Sequence, residues 1–235
     1  MTGHHEQQWD ALESEIVSCR KCPRLVEWRE EVAQTKRRAF INESYWGKAV
    51  PGFGDHGARI LILGLAPGAH GSNRSGRMFT GDASGDFLYP ALYRAGFASQ
   101  PASINRGDGL ALRDVFISAV CRCAPPANKP TLDEQQTCRQ YLLREMRLLE
   151  NLQGIVALGG IAFASALRLM EELFGEFGEK KPQFDHNALY RWPQAPIWLL
   201  GAYHPSRQNT QTGRLSAAMF ADIWEHANQL LEEKK

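Results

Sequence analysis

The stretch that decides the fold is residues 59–66, RILILGLA, which runs into a glycine-rich loop at residues 67–82, PGAHGSNRSGRMFTGD. A short apolar run bounded by turn residues is typical of a strand that is buried on both faces. Similar runs occur at residues 115–121, 154–158 and 196–202, and helical patterns separate all four. Strands that alternate with helices form a parallel sheet covered on both faces, so the sequence predicts an α/β fold.

Helical patterns account for most of the remaining chain. Thr131 followed by Glu134 forms a capping box, which predicts the start of one of these helices. The predicted helices occupy residues 84–95, 132 to about 149, 159 to about 174, and a segment beginning near 214. Residues 1–50 are expected to form one or two helices that carry a pair of cysteines. No linker or repeat divides the chain, so we expect residues 1–235 to form a single domain.

The overall composition is that of an ordinary globular protein. Of 235 residues, 43% are hydrophobic and 23% are charged, which disfavours disordered and membrane classes. The formal net charge of +1 neither supports nor excludes a polyanionic partner. No apolar run approaches the roughly 20 residues of a membrane span, and the polar N-terminus does not resemble a signal peptide. We therefore expect a cytoplasmic protein that does not associate with membranes.

Five cysteines are the first sign of chemistry. In a reducing compartment they are not expected to form disulfides, and their spacing favours a metal site. Cys19 and Cys22 have the two-residue spacing that lets two thiolates reach one centre, and Cys123 and Cys138 lie 15 positions apart around a proline-rich loop. This spacing fits a zinc ion and an iron-sulfur cluster equally well. Cys121 ends an apolar strand and is expected to be a buried hydrophobic side chain.

The glycine-rich loop indicates a ligand other than a nucleotide cofactor. It is neither a dinucleotide-binding G-x-G-x-x-G motif nor a Walker A motif, and Pro67 removes an amide that a phosphate cradle would use. Its glycines allow the backbone to approach a ligand closely. Phe79 is either a stacking surface for that ligand or an apolar anchor for the loop.

Three segments together resemble the motifs of the iron-sulfur uracil-DNA glycosylases, and family 5 more closely than family 4. They are residues 64–82, GLAPGAHGSNRSGRMFTGD, residues 123–130, CAPPANKP, and residues 204–215, HPSRQNTQTGRL. The resemblance implies a three-layer αβα sandwich with a central four-stranded parallel sheet. It also implies a 4Fe-4S cluster that ties in the N-terminal helices. The cluster ligands of the family match Cys19, Cys22, Cys123 and Cys138.

The resemblance further implies a monofunctional enzyme that hydrolyses the N-glycosidic bond of uracil in DNA and leaves an abasic site. Similarity to family 5 adds other deaminated bases, such as hypoxanthine. His204 would donate a hydrogen bond to O2 of the departing base, and Asp82 would orient water or offset positive charge on the sugar. Asn128 would hold a polar group or water. Asp82 could instead only cap the following helix.

Further positions that match the family are expected to bind substrate. Those around the base are Gly64, Ala66, Gly68, His70 and Phe79, and those toward the DNA backbone are Arg207, Asn209 and Arg214. The expected partner is DNA containing deaminated bases, bound by a monomer.

Two features bear on that expectation. Leu65 stands where many relatives carry a polar residue that delivers water, so the alternative function is a non-catalytic iron-sulfur protein that binds damaged DNA. Residues 56–81, 115–132 and 186–221 contain no acidic residue and together carry eight Lys or Arg. These stretches predict a basic edge that faces DNA.

Overall fold

The computed structural model describes residues 2–233. The helices within this range are α1 (Thr2–Ser18), α2 (Pro23–Thr35), α3 (Ser72–Ser75), α4 (Ala83–Arg94), α5 (Leu132–Leu148), α6 (Gly160–Phe174), α7 (Arg207–Gln211) and α8 (Ala217–Glu232). The strands are β1 (Phe53–Gly54), β2 (Ile60–Gly64), β3 (Val115–Ala119), β4 (Gly154–Leu158), β5 (Leu189–Arg191) and β6 (Trp198–Ala202). None of these helices is long and apolar enough to span a membrane.

The described strands form one sheet in the order β1-β3-β2-β4-β6-β5. The four central strands are parallel, and Ile62 of β2 lies between Ile117 of β3 and Val156 of β4. The predicted α/β fold is therefore confirmed. The sheet has six strands rather than four, because β1 and β5 pair antiparallel with its two edges. These edge strands have only two and three residues and are not fully buried, so they lack the apolar run that marks the central strands.

Side chains alternate between the two faces of the central strands and fill two separate cores. Leu61 and Leu63 of β2 belong to a core that includes buried residues of α1, α2, α5 and α6. Ile60 and Ile62 belong to a second core, which α4 and α8 cover. The sheet is thus buried on both faces, which explains why its strands read as continuous apolar runs.

The strand order places a crevice at one edge of the sheet. The first parallel strand, β2, lies between β3 and β4. The chain therefore passes from β2 to β3 on one side and then crosses to β4 on the other side. Ligands of open α/β sheets bind beyond the carboxyl ends of the strands near such a switch point. In this sheet those ends are Gly64, Ala119, Leu158 and Ala202.

Candidate active site

A cleft of about 800 Å³ opens at this carboxyl edge. The loops after β2, β3 and β6 all contribute to its walls, as expected for a parallel sheet. The cleft is lined by nine of the residues that the sequence singled out: Gly64, Ala66, Gly68, His70, Phe79, Asp82, Asn128, His204 and Arg207. Asn209 and Arg214 are not among its lining residues. The three motifs, although far apart in sequence, therefore meet at one place.

The two carboxylate oxygens of Asp82 have different surroundings. Oδ1 caps α4 by accepting hydrogen bonds from the backbone N–H of Ser84 at 3.0 Å and of Gly85 at 3.1 Å. Oδ2 lies against two glycines of the loop: a Cβ atom at Gly68 would come within 2.8 Å of it, and one at Gly71 would overlap it. Asp82 thus caps the helix and also presents an oxygen toward the cleft.

His204 lies two residues beyond the end of β6 and is neutral near pH 7, since burial lowers the pKa of its imidazole to about 4. Its backbone carbonyl accepts hydrogen bonds from the N–H of Ser206 at 2.7 Å and from Nδ2 of Asn209 at 2.8 Å. The contact of Asn209 is therefore with the backbone of His204. These two bonds fix the point at which the imidazole enters the cleft.

Phe79 is both an anchor of the loop and a wall of the cleft. It belongs to the core beneath α4 and is 9% exposed, yet its ring lies 6.0 Å from that of His204, centroid to centroid. Its φ of 52° is in the left-handed region, which is rare for an aromatic residue. A Cβ atom at Gly64 would lie 2.9 Å from Cζ of Phe79, so the glycine makes room for the ring.

Asn128 reaches the cleft from a short turn of unusual backbone conformation. Ala127 and Asn128 are both left-handed, with φ of 52° and 57°. Asparagine tolerates this conformation better than alanine, for which it costs roughly 1–2 kcal/mol. Backbone strain of this kind is common at functional sites.

Sequence reasoning missed several cleft residues. Arg37 and Phe40 line the cleft from the segment that follows α2, and Ser206 and Gln208 line it beside Arg207. The signal for the first pair was the basic run Lys-Arg-Arg at residues 36–38. A short basic run of this kind is common on exposed helix ends, so by itself it does not indicate a place in a cleft.

The predicted basic edge is much smaller than expected. Acidic residues from outside the three acid-free stretches neutralise five of their eight cations. The pairs are Arg59–Asp114, Arg74–Glu43, Arg77–Asp108, Arg122–Glu145 and Arg191–Glu233. Arg214 stacks on the ring of Tyr203, at 4.7 Å from its centroid. Among the eight, Arg207 lines the cleft and has no ion pair within residues 2–233.

The cysteines lie on one side of the sheet, in or against the core that contains α1 and α5. Burial together with the neighbouring Cys138 and Cys19 raises the pKa of Cys22 to about 11, and burial raises that of Cys123 to about 12. Cys121 is buried, as predicted, and the sulfur of Cys138 accepts a hydrogen bond from the backbone N–H of Arg122 at 3.3 Å. In residues 2–233, no three His, Cys, Asp or Glu side chains are arranged to hold a single metal ion.

Arg29 of α2 lies beside these thiols with almost no exposure to solvent. Its Nη1 donates to Sγ of Cys123 at 2.9 Å, and its Nη2 donates to the carbonyl of Cys19 at 3.0 Å. Its Nε has no hydrogen-bond partner within the described residues, and the carboxylate of Glu30 is 4.0 Å from Nη2. A buried guanidinium with so little compensation is costly unless an anionic group lies next to it.

Comparisons with known proteins agree with this geometry. The profile of the uracil DNA glycosylase superfamily matches residues 51–228. A type-5 uracil-DNA glycosylase of Mycobacterium tuberculosis is 52% identical over 220 residues, which cover 93% of this chain and 80% of that protein. The type-5 enzyme of Thermus thermophilus is 51% identical and covers 94% and 97% of the two chains. A type-4 uracil-DNA glycosylase of Pyrobaculum aerophilum is 32% identical, over 81% and 79%. The chain therefore belongs to the uracil-DNA glycosylase superfamily, and its similarity is greater to the type-5 than to the type-4 members.

Proposed function

We propose that this protein is a DNA-repair glycosylase that hydrolyses the N-glycosidic bond of uracil in DNA and leaves an abasic site. The observation that carries this proposal is the cleft, which gathers Asp82, Asn128 and a neutral His204 around the ring of Phe79. The type-5 relatives, named as uracil-DNA glycosylases, support the same reaction.

The reaction begins with a base that has left the helical stack, because an enzyme cannot reach the glycosidic bond inside a duplex. The flipped uracil stacks on Phe79. As the bond to C1′ breaks, negative charge develops on the base and positive charge on the sugar. A neutral imidazole already carries the N–H needed to donate to O2 of the base, so His204 stabilises the leaving anion without first taking up a proton.

The remaining groups act on the sugar side. Oδ2 of Asp82 faces the glycine wall of the cleft, where it orients water toward C1′ and offsets the charge on the sugar, while Oδ1 stays bonded to α4. Asn128 holds a polar group of the base or a water molecule. No lysine within residues 2–233 lines the cleft, so a Schiff-base lyase step is not part of the proposal.

The chemistry of the thiols supports a 4Fe-4S cluster held by Cys19, Cys22, Cys123 and Cys138. The only carboxylate near Arg29 in residues 2–233 is that of Glu30, 4.0 Å away and held more closely by Arg20. Four neutral thiols would add no negative charge beside this guanidinium, whereas four coordinating thiolates would. The cluster has a structural role, since its ligands join the junction between α1 and α2 to α5 and to the loop after β3. A zinc ion on the same thiolates is the competing assignment, and it would require the four sulfurs to move closer together than they lie in residues 2–233. Brown visible absorbance with four irons per chain supports the cluster, and a colourless protein containing zinc rejects it.

The wider assignment is supported by the similarity to the type-5 enzymes and by the sequence rather than by the cleft. We include other deaminated bases such as hypoxanthine among the substrates and DNA as the partner of a monomer that uses no nucleotide cofactor. The place of action is the cytoplasm. The second candidate function, damage recognition by a non-catalytic DNA-binding protein, is favoured by one observation, namely that apolar Leu65 lines the cleft beside Gly64.

The experiment that tests the proposal is excision from oligonucleotides that carry uracil, hypoxanthine or xanthine. Abasic sites are detected as strand breaks after alkali. Breaks at uracil support the glycosylase, and the hypoxanthine and xanthine strands show how far the substrate range extends. Binding to the uracil duplex without any breaks would reject catalysis in favour of the second candidate.

A further inference from the structure

We propose that residues 36–40, the segment that follows α2, form a second DNA-binding rim of the cleft, in which Arg37 contacts a phosphate near the flipped nucleotide. We call this segment the N-terminal rim. The inference rests on the proposed function, which supplies DNA as the ligand. Five of the eight cations expected to face DNA are held in ion pairs, so other cations are needed to bind the phosphates.

Contacts with the glycine-rich loop fix the position of the N-terminal rim. Lys36, with φ of 53°, turns the chain out of α2. Phe40 then lies beneath the guanidinium of Arg74, 4.0 Å from the ring centroid. Arg74 also donates to the carbonyls of His70 at 2.8 Å and Gly81 at 2.9 Å, so the rim and the loop are joined through one side chain. Arg37 therefore extends from a positioned backbone rather than from a free tail.

The charge of Arg37 is available to a ligand. Its side chain is exposed and lines the cleft, and it has no ion pair within residues 2–233. Arg37 and His70 of the glycine-rich loop line the same cleft, and burial together with Arg37 and Arg74 lowers the pKa of His70. Asp82 and Asp86 also line the cleft, so their carboxylates repel an approaching phosphate, which is held only near a cation.

Arg207 supplies a cation at a different point along the sheet edge. It follows β6, whereas the N-terminal rim packs on the loop after β2, and β4 separates these two strands. Neighbouring strands are about 4.8 Å apart, so the two points of support differ by about 10 Å along the edge. Two separated cations hold a DNA strand on both sides of a flipped nucleotide better than one.

The test compares Arg37→Gln with Arg37→Lys and with Arg147→Gln. Arg147 is exposed in the last turn of α5, at the opposite edge of the sheet, so its replacement is a matched change of charge away from the cleft. The probe is a duplex oligonucleotide that carries a tetrahydrofuran abasic analogue, and its affinity is measured between 50 and 200 mM salt. Affinity falls as salt rises, and one lost phosphate contact makes the slope of log affinity against log salt shallower by about 0.9. From 50 to 200 mM salt, the fold-loss of affinity should therefore be about 3.5 times smaller for Arg37→Gln than for the wild type.

Arg37→Lys and Arg147→Gln should both show the same salt slope as the wild type. An unchanged slope for Arg37→Gln would overturn the inference, as would an equal fall in slope for Arg147→Gln. Excision of uracil by the wild-type protein is measured in parallel. A wild type that leaves uracil in place while Arg37→Gln lowers the slope would reject the glycosylase and retain the rim, so the two proposals fail separately.

Discussion

Asp82→Asn is expected to keep nearly the full stability of the fold and to lose most of the excision activity, whereas Asp82→Ala should lose most of the activity and also become measurably less stable. The difference arises because Oδ1 of Asp82 caps α4 while Oδ2 faces the cleft. An asparagine keeps an oxygen that can accept from Ser84 and Gly85 but removes the negative charge from the cleft. An alanine removes both functions.

The magnitudes follow from these contacts. Loss of an N-cap side chain typically costs about 1 kcal/mol, which lowers the melting temperature of a protein of this size by about 2–4 °C. Asparagine caps a helix about as well as aspartate, so Asp82→Asn should lose only about 0.3 kcal/mol, from weaker attraction to the positive end of the helix. Removal of a group that acts on the attacking water typically slows the chemical step by about 10²–10⁴-fold.

The assay is single-turnover excision from a uracil duplex with enzyme in excess, accompanied by thermal unfolding of each variant. Enzyme in excess separates the chemical step from product release, and binding to the abasic-analogue duplex shows whether the variants still recognise DNA. The assignment of Asp82 to the water is refuted if Asp82→Asn excises uracil at the wild-type rate. In that case the carboxylate serves only as the helix cap.

Three further predictions concern the base, the loop and the thiols. The pKa of His204 is about 4 in the folded protein and 6.5 ordinarily, so the unfolded chain binds the proton more readily. The free energy of unfolding should therefore fall by up to about 3 kcal/mol as the pH drops from 7 to 4. In urea unfolding, His204→Gln should lack this part of the decline, and an equal decline in the variant and the wild type would contradict the role of His204. Gly64→Ala places a methyl group 2.9 Å from the ring of Phe79, so the single-turnover rate with enzyme in excess should fall about 10-fold or more. An unchanged rate would exclude stacking of the base on that ring. Cys138→Ser should lose visible absorbance and bound iron, whereas Cys121→Ala should keep both; loss of iron in Cys121→Ala would make that thiol a ligand.

The central part of the fold was predictable because burial leaves a mark on the sequence. Strands covered on both faces must be apolar throughout, and the run at residues 59–66 shows this directly. The edge strands β1 and β5 leave no such mark, since they are short, partly exposed and defined by backbone pairing alone. Backbone hydrogen bonds place no demand on side-chain type, so a sequence pattern cannot indicate them.

The cleft was predictable to the extent that each of its residues lies in a loop directly after a parallel strand. Which cations face the cleft was not predictable, because an ion pair joins residues that are distant in sequence. Arg77 and Asp108 are 31 positions apart, and their bidentate pair is buried beneath the glycine-rich loop, where Arg77 serves the fold rather than DNA. Arg37 was not predictable for the converse reason, since the place of its segment beside the cleft depends on tertiary contacts such as that of Phe40 with Arg74, which is distant in sequence.

The N-terminal rim lies outside residues 51–228, the part of the chain that corresponds to the whole superfamily. The groups proposed to break the glycosidic bond, Asp82, Asn128 and His204, all lie inside it. A change of charge at Arg37 should therefore alter the affinity for DNA without replacing any group proposed to act on the glycosidic bond. A lineage that needs a tighter or looser hold on DNA, for example at a different intracellular salt concentration, can adjust affinity there while catalysis stays constant.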